Sequence, residues 1–141
     1  MVIASDTVGK PVRKPADIAA IARAVLAAED EIDRKKEHFW AMGLDSGHRV
    51  SYFELVTLGI LNATQVHPRE VFRRAIMDAC ESMVVIHNHP SGDPTPSGTD
   101  RAMTKQLTMA GQWIGVEILD HVIVGKETYY SFAEANELTV E

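Results

Sequence analysis

The stretch Met83-Val84-Val85-Ile86-His87-Asn88-His89-Pro90-Ser91-Gly92-Asp93-Pro94-Thr95-Pro96-Ser97-Gly98-Thr99-Asp100 decides how this chain folds. Residues 83–86 are a short, unbroken, largely β-branched apolar run, the pattern of a strand buried on both faces. Side chains two apart on a strand point to one side, so His87 and His89 converge at its C-terminal end. Three prolines and Gly92 exclude helix from Pro90 to Pro96 and leave a loop of defined shape. Helical pattern resumes after Ser97. Ser97 and Asp100 stand at the ends of an S-x-x-D spacing, which puts Asp100 in the first turn of a helix with its carboxylate free to aim back at the histidines. Alone, S-x-x-D is ordinarily only a cap, and paired histidines can simply satisfy backbone groups. Two histidines and a carboxylate on one strand-loop-helix unit are the ligand set of a catalytic zinc site with a fourth position open.

The order His-x-His, seven residues, Ser, two residues, Asp resembles the JAMM signature of the JAB/MPN-type metalloproteases, carried here by His87, His89, Ser97 and Asp100. The words His-Asn-His-Pro-Ser-Gly-Asp before and Leu119-Asp120-His121-Val122-Ile123-Val124-Gly125 after it resemble the bacterial RadC branch more narrowly. Glu37-His38-Phe39-Trp40 and Val66-His67-Pro68-Arg69-Glu70-Val71-Phe72 match that branch too, and the resemblance runs from about Ala16 to Glu134. It implies Zn2+ on His87, His89 and Asp100, and a protein or peptide substrate whose peptide or isopeptide bond is cleaved. It further implies Glu37 as general base and Ser97 as hydrogen-bond donor to the developing oxyanion. Zinc-assisted attack on an amide requires such a base, because the attacking water must lose a proton and the leaving amine must gain one. Glu54, on the following strand, is the rival for that role, and either carboxylate could be an ordinary surface group. The DNA-repair label travels with the RadC name only. Longer RadC-like proteins carry an N-terminal helix-hairpin-helix region, and the residues before Glu37 are too few to hold one.

Length and composition suit one globular domain: 141 residues, 45% of them apolar. No apolar run approaches a membrane span, and the N-terminus lacks the pattern of a secretory signal, so the expected compartment is the cytoplasm. The single cysteine, Cys80, has no partner for a disulfide and reads as a small core residue, which leaves N and O ligands for a metal. With 14 basic and 20 acidic residues the net charge is −6 and the basic residues are scattered, so direct nucleic-acid binding is not expected.

Residues 1–14 lack apolar period and read as a loose leader, with one RadC-like JAB/MPN domain from 15 to 141. Pro15 opens an amphipathic helix through Ile18, Ile21, Ala22, Val25 and Leu26 that ends in the charged run Glu29–Lys36, a solvated linker. His38–Leu44 and a stretch from Arg49 to about Ile60 form a hairpin with Glu37 at its mouth. Pro68 opens a helix with a buried stripe of Phe72, Ala75, Ile76 and Ala79. Its arginines, Arg69, Arg73 and Arg74, are solvated or flank a substrate groove. After the His-x-His loop comes a helix from about Gly98 to Ala110, stopped by Gly111. Trp113–Leu119 and His121–Val124 read as two strands, and Tyr129–Phe132 closes the sheet. Strands and helices interleave, so the class is α/β. A mixed sheet of five or six strands flanked by helices fits the three-layer, cytidine-deaminase-like JAB/MPN architecture that the resemblance implies. His121 reads as an anchor beside the site and not as a fourth ligand. Asn88, pointing to the opposite face, reads as structural, and His48 and His67 have no role.

Two other readings compete. A non-catalytic MPN-type interaction module keeps the fold, but relatives of that kind have lost the ligands, and all of them are present here. A zinc nucleobase deaminase needs His-x-Glu and Pro-Cys-x-x-Cys, against His-x-His and one cysteine.

Overall fold

Every residue of β4 (Ser82–Asn88) is buried, as its unbroken apolar pattern requires, and the strand accordingly lies inside the sheet. The computed structural model describes residues 2–59 and 66–138. Within them β1 (Val2–Ile3), β2 (His38–Leu44), β3 (Val50–Leu58), β4, β5 (Glu117–Val124) and β6 (Tyr129–Ser131) form one sheet in the order β1-β3-β2-β4-β5-β6. All pairings are antiparallel except β4 with β5, which is parallel, so the sheet is mixed. A parallel pair demands a crossover, and α4 (Gly98–Ile114) supplies it.

The sheet is the middle of three layers, and the class is α/β. On one face α1 (Pro15–Ala27) buries Ile18, Ala19, Ile21 and Ala22 against Trp40, Met42, Phe53, Val84, Ile86 and Val122. On the other, α3 (Pro68–Met77) and α4 bury Val71, Phe72, Ala75, Met103 and Leu107 against Phe39, Ala41, Tyr52, Met83 and Val85. Each fully buried side chain of this size contributes about 1.5–3 kcal/mol. Among the described residues no helix is long and apolar enough to cross a membrane.

Several expectations are corrected. Residues 2–12 are not loose: β1 pairs with β3, Gly9 and Lys10 exchange backbone hydrogen bonds with Val50, and Val12 is buried against the α1 face. Backbone pairing carries no side-chain period, which is why the segment looked unstructured. α1 stops at Ala27. The charged run holds a separate short helix, α2 (Glu31–Arg34), capped by Asp30 accepting from the Asp33 N–H, and Glu29 turns inward to His38 instead of facing solvent. In α3 the buried stripe takes Val71 in place of Ile76, which is 57% exposed, and Ala79 lies beyond the helix at φ 54°. β3 ends at Leu58, and Ile60 lies outside the described residues.

α4 runs past Gly111 to Ile114. Gly111 is there for closeness, since a Cβ would stand 2.5 Å from the Val116 carbonyl oxygen, while Gly115, at φ 89°, is the left-handed stop. Trp113 and Ile114 therefore end a helix, and β5 is one strand. Its pairing with β4 skips Leu119, with Ile118 opposite Met83 and Asp120 opposite Val84. That one-residue skip reverses which face later residues occupy and puts His121 on the α4 side.

The Pro90–Pro96 loop is seated on the β5–β6 turn: Lys126 N–H donates to the Gly92 carbonyl at 3.0 Å, and a Cβ on Gly125 would lie 2.5 Å from that oxygen and 2.9 Å from Pro94. Gly125→Ala should therefore lose about 1–3 kcal/mol of stability in urea melting. Gly98→Ala, where a Cβ meets nothing within 4 Å, should be close to neutral.

Candidate metal centre

His87 is the second-last residue of β4 and His89 follows that strand, both on the face covered by α4. The His89 N–H continues the parallel ladder by donating to the Val124 carbonyl at 2.9 Å, which fixes the start of the loop. At the loop's other end Ser97 caps α4. Its Oγ accepts from the Asp100 N–H at 3.1 Å, and Asp100 Oδ2 accepts from the Ser97 N–H at 2.8 Å. This reciprocal box turns the Asp100 carboxylate back across the loop.

The strand and the helix thereby bring three ligand atoms together. His87 Nε2 lies 3.0 Å from His89 Nε2 and 3.2 Å from Asp100 Oδ1, and His89 Nε2 lies 3.0 Å from Asp100 Oδ2. Ligand atoms around a tetrahedral ion with bonds of about 2.0–2.1 Å stand roughly 3.3 Å apart, so His87, His89 and Asp100 are placed to hold a metal ion. Burial alone would raise the Asp100 carboxyl, but the hydrogen bonds from His87 and His89 outweigh it and hold it well below the usual range. His87 is lowered by desolvation, while the Asp100 hydrogen bond raises His89.

Both imidazoles have their other nitrogen committed. His89 Nδ1 donates to the Asp93 carbonyl at 2.9 Å, leaving Nε2 as the metal-facing lone pair. His87 Nδ1 lies 2.8 Å from His121 Nε2, His121 Nδ1 lies 2.5 Å from Thr104 Oγ1, and that hydroxyl donates to the Asp100 carbonyl at 2.8 Å. With His87 Nε2 free for a metal, one proton arrangement satisfies every group: His87 donates to His121, His121 to Thr104, and Thr104 to Asp100. His121 can accept because burial holds it neutral, well below its ordinary value. It is stacked on Phe132 at 4.9 Å and 8° and meets the edge of Phe39 at 6.1 Å. It is thus an anchor, as read from the sequence, in direct contact with a ligand. Thr104 was missed, although its place one turn after Asp100 was a usable signal.

The rival carboxylates separate. Glu37 immediately precedes β2, and its charge favours the protonated forms of both His87 and His89. Glu54 is 2% exposed and lies opposite Ala41, which itself lies opposite Val85, about 10 Å from β4 across two strands. Burial raises its carboxyl and Oε1 has no hydrogen-bond partner. Ser97 is exposed at the helix start beside Asp100. Arg74 pairs with Asp78, and Arg69 and Arg73 are exposed. His48 sits in the β2–β3 turn at φ 57°, and His67 occupies the position before the first residue of α3, its side chain making no capping hydrogen bond.

The family described as RadC-like JAB domain matches residues 12–138. Similar curated proteins include UPF0758 proteins of Chlorobium phaeovibrioides (45% identical over 107 residues, 76% of this chain and 48% of that one), Desulforamulus reducens (43% over 120 residues, 85% and 51%) and Alkaliphilus metalliredigens (49% over 100 residues, 71% and 43%). The chain spans about half the length of these relatives.

Two outcomes are expected of the centre. Thr104→Val should weaken metal affinity about 10–100-fold in competition with a chromophoric chelator, with an unchanged circular dichroism spectrum. Because Asp100 holds the His89 proton more tightly than usual, acidification should begin to weaken binding at a pH above the ordinary 6.5. In metal-free Asp100→Asn the His89 imidazole should titrate at lower pH than in metal-free wild type, read by NMR.

Proposed function

We propose, since this chain belongs to the RadC-like JAB domain family, that it is a zinc-dependent hydrolase cleaving a peptide or isopeptide bond. The observation that carries the reading is the convergence of His87 Nε2, His89 Nε2 and one carboxylate within 3.0–3.2 Å of one another, each imidazole held by a partner at Nδ1. Two nitrogens and a carboxylate oxygen, with a position left open, suit zinc. Zinc bound there supplies a Lewis acid for an amide carbonyl and water activated near neutral pH.

The chain's own groups do the rest. Glu37 takes the proton of the attacking water and delivers it to the departing nitrogen. Ser97 Oγ accepts from the Asp100 N–H, which leaves its own proton to donate to the developing oxyanion, a contribution of roughly 3 kcal/mol. His87, His89 and Asp100 stay fixed while this happens, through the Asp93 carbonyl, the His121–Thr104 chain and the helix cap. The net charge of −6 and scattered basic residues favour a polypeptide over a nucleic acid as the substrate.

Elemental analysis of purified wild type beside His89→Ala, Asp100→Ala and Glu37→Gln tests the proposal. About one zinc per chain is expected in wild type and Glu37→Gln and none in the other two. Against a fluorogenic peptide library, Glu37→Gln should lose roughly 10²–10⁴-fold in kcat. Wild type that takes up no zinc on reconstitution would sink the hydrolase and leave the non-catalytic interaction module.

A further inference from the structure

The residue between the two histidines faces away from them and does something the motif does not explain. The β2–β4 ladder ends at Phe39 opposite His87, so the next antiparallel position sets Asn88 opposite His38. There the Asn88 side chain takes over from the backbone. Its Oδ1 accepts from the His38 N–H at 2.6 Å and its Nδ2 donates to the Lys36 carbonyl at 3.0 Å. These are the peptide groups on either side of Glu37. The Glu37 carbonyl accepts from the Gly59 N–H at 2.8 Å, and His38 Nδ1 donates to the second lone pair of the Lys36 carbonyl at 2.8 Å. His38 is itself held by Glu29 Oε2 at 2.5 Å and by stacking on Trp40 at 5.0 Å. The backbone that carries Glu37 is therefore pinned on both sides.

From this bracket we infer that Asn88 is the positioning residue for Glu37: the strand that carries the ligand histidines also fixes, through its opposite face, where the base stands. The inference rests on the reading of Glu37 as the base. The alternation of one strand does the registering. His87 and His89 go to one face for the metal, and Asn88 goes to the other for the base, so neither can shift along β4 without the other. The task demands a carboxamide. It must donate and accept at once, which Asp cannot do, and it must span two peptide groups that lie two residues apart, which Ser is too short to do. At 3% exposure Asn88 has little access to water as a substitute partner.

The test uses the full chain with selectively labelled glutamate carboxyl carbons, the Glu37 resonance being identified by its loss in Glu37→Gln, and zinc alone as the probe. In wild type the Glu37 resonance should shift as one equivalent of zinc is added. In Asn88→Ala the protein should still take up zinc, because His87, His89 and Asp100 are untouched, but the Glu37 shift should be lost. Asn88→Asp is isosteric and keeps the acceptor for His38 while setting a second acceptor against the Lys36 carbonyl. It should behave as the alanine variant does and decides the matter if alanine prevents folding. A full Glu37 shift in either folded variant would overturn the positioning role and leave Glu37 as base intact. Loss of zinc uptake in folded Asn88→Asp would overturn it too, by showing that Asn88 acts on the ligands. A wild-type Glu37 resonance that ignores zinc would remove the base assignment and this inference with it.

Discussion

The parallel pairing of β4 with β5 sets most of what surrounds the centre. Two parallel neighbours cannot be joined by a turn, so the chain must leave the end of β4, cross the sheet as a helix and return to the start of β5. The loop after His89 has to reach the beginning of that helix, and a helix beginning wants a carboxylate in its first turn. Asp100 thus arrives beside the histidines as part of the geometry of the crossover, and the Ser97 cap then aims it. The same pairing carries the His89 N–H onto Val124 and His121 alongside Val85, so ligand, ligand support and sheet register come from one ladder.

Burial makes the arrangement demanding. His87 and His121 are both 0% exposed, and a nitrogen left without a partner there would cost about 1–3 kcal/mol. The chain from His87 through His121 and Thr104 to the Asp100 backbone meets that demand with a single direction of proton donation. Desolvation lowers both imidazoles and so favours the neutral forms that the chain requires, whereas the more open His89 is raised by Asp100. Similar side chains are thus shifted in opposite directions, because His87 and His121 lie under α4 and His89 lies at its lip.

What could be read from the residues was what is local. The strand, the proline-rich loop and the capped helix follow from neighbours within twenty positions, and the ligand triad lies wholly inside that window. The misreadings arose where distant pairing decides. Gly111 and Gly115 both resemble helix stops, and only the approach of Val116 and the positive φ tell them apart. The skip at Leu119 is invisible as a pattern, so β5 looked like two strands and the face of His121 could not be assigned. β1 is held by backbone bonds to β3, which leave no mark on residue type. The separation of Glu54 from β4 follows only from the order of β3, β2 and β4 in the sheet, and the Ile76 face of α3 needed to know which helix lay beside it.

The three ligand atoms all lie between residues 82 and 124, on one strand, one loop and one helix, whereas Glu37 comes from the other half of the chain. A bound ion stabilises whatever conformations keep its ligands together and has no purchase on those that do not disturb them. Fluctuations that part α4 from β4 would become rarer on loading, while any that part β1 from β3, at the edge of the sheet, would be left as they were. The molecule is therefore mechanically two-sided: chelation would stiffen the half that carries His87, His89 and Asp100, and the half that carries Glu37 is joined to it through the edge that β2 shares with β4.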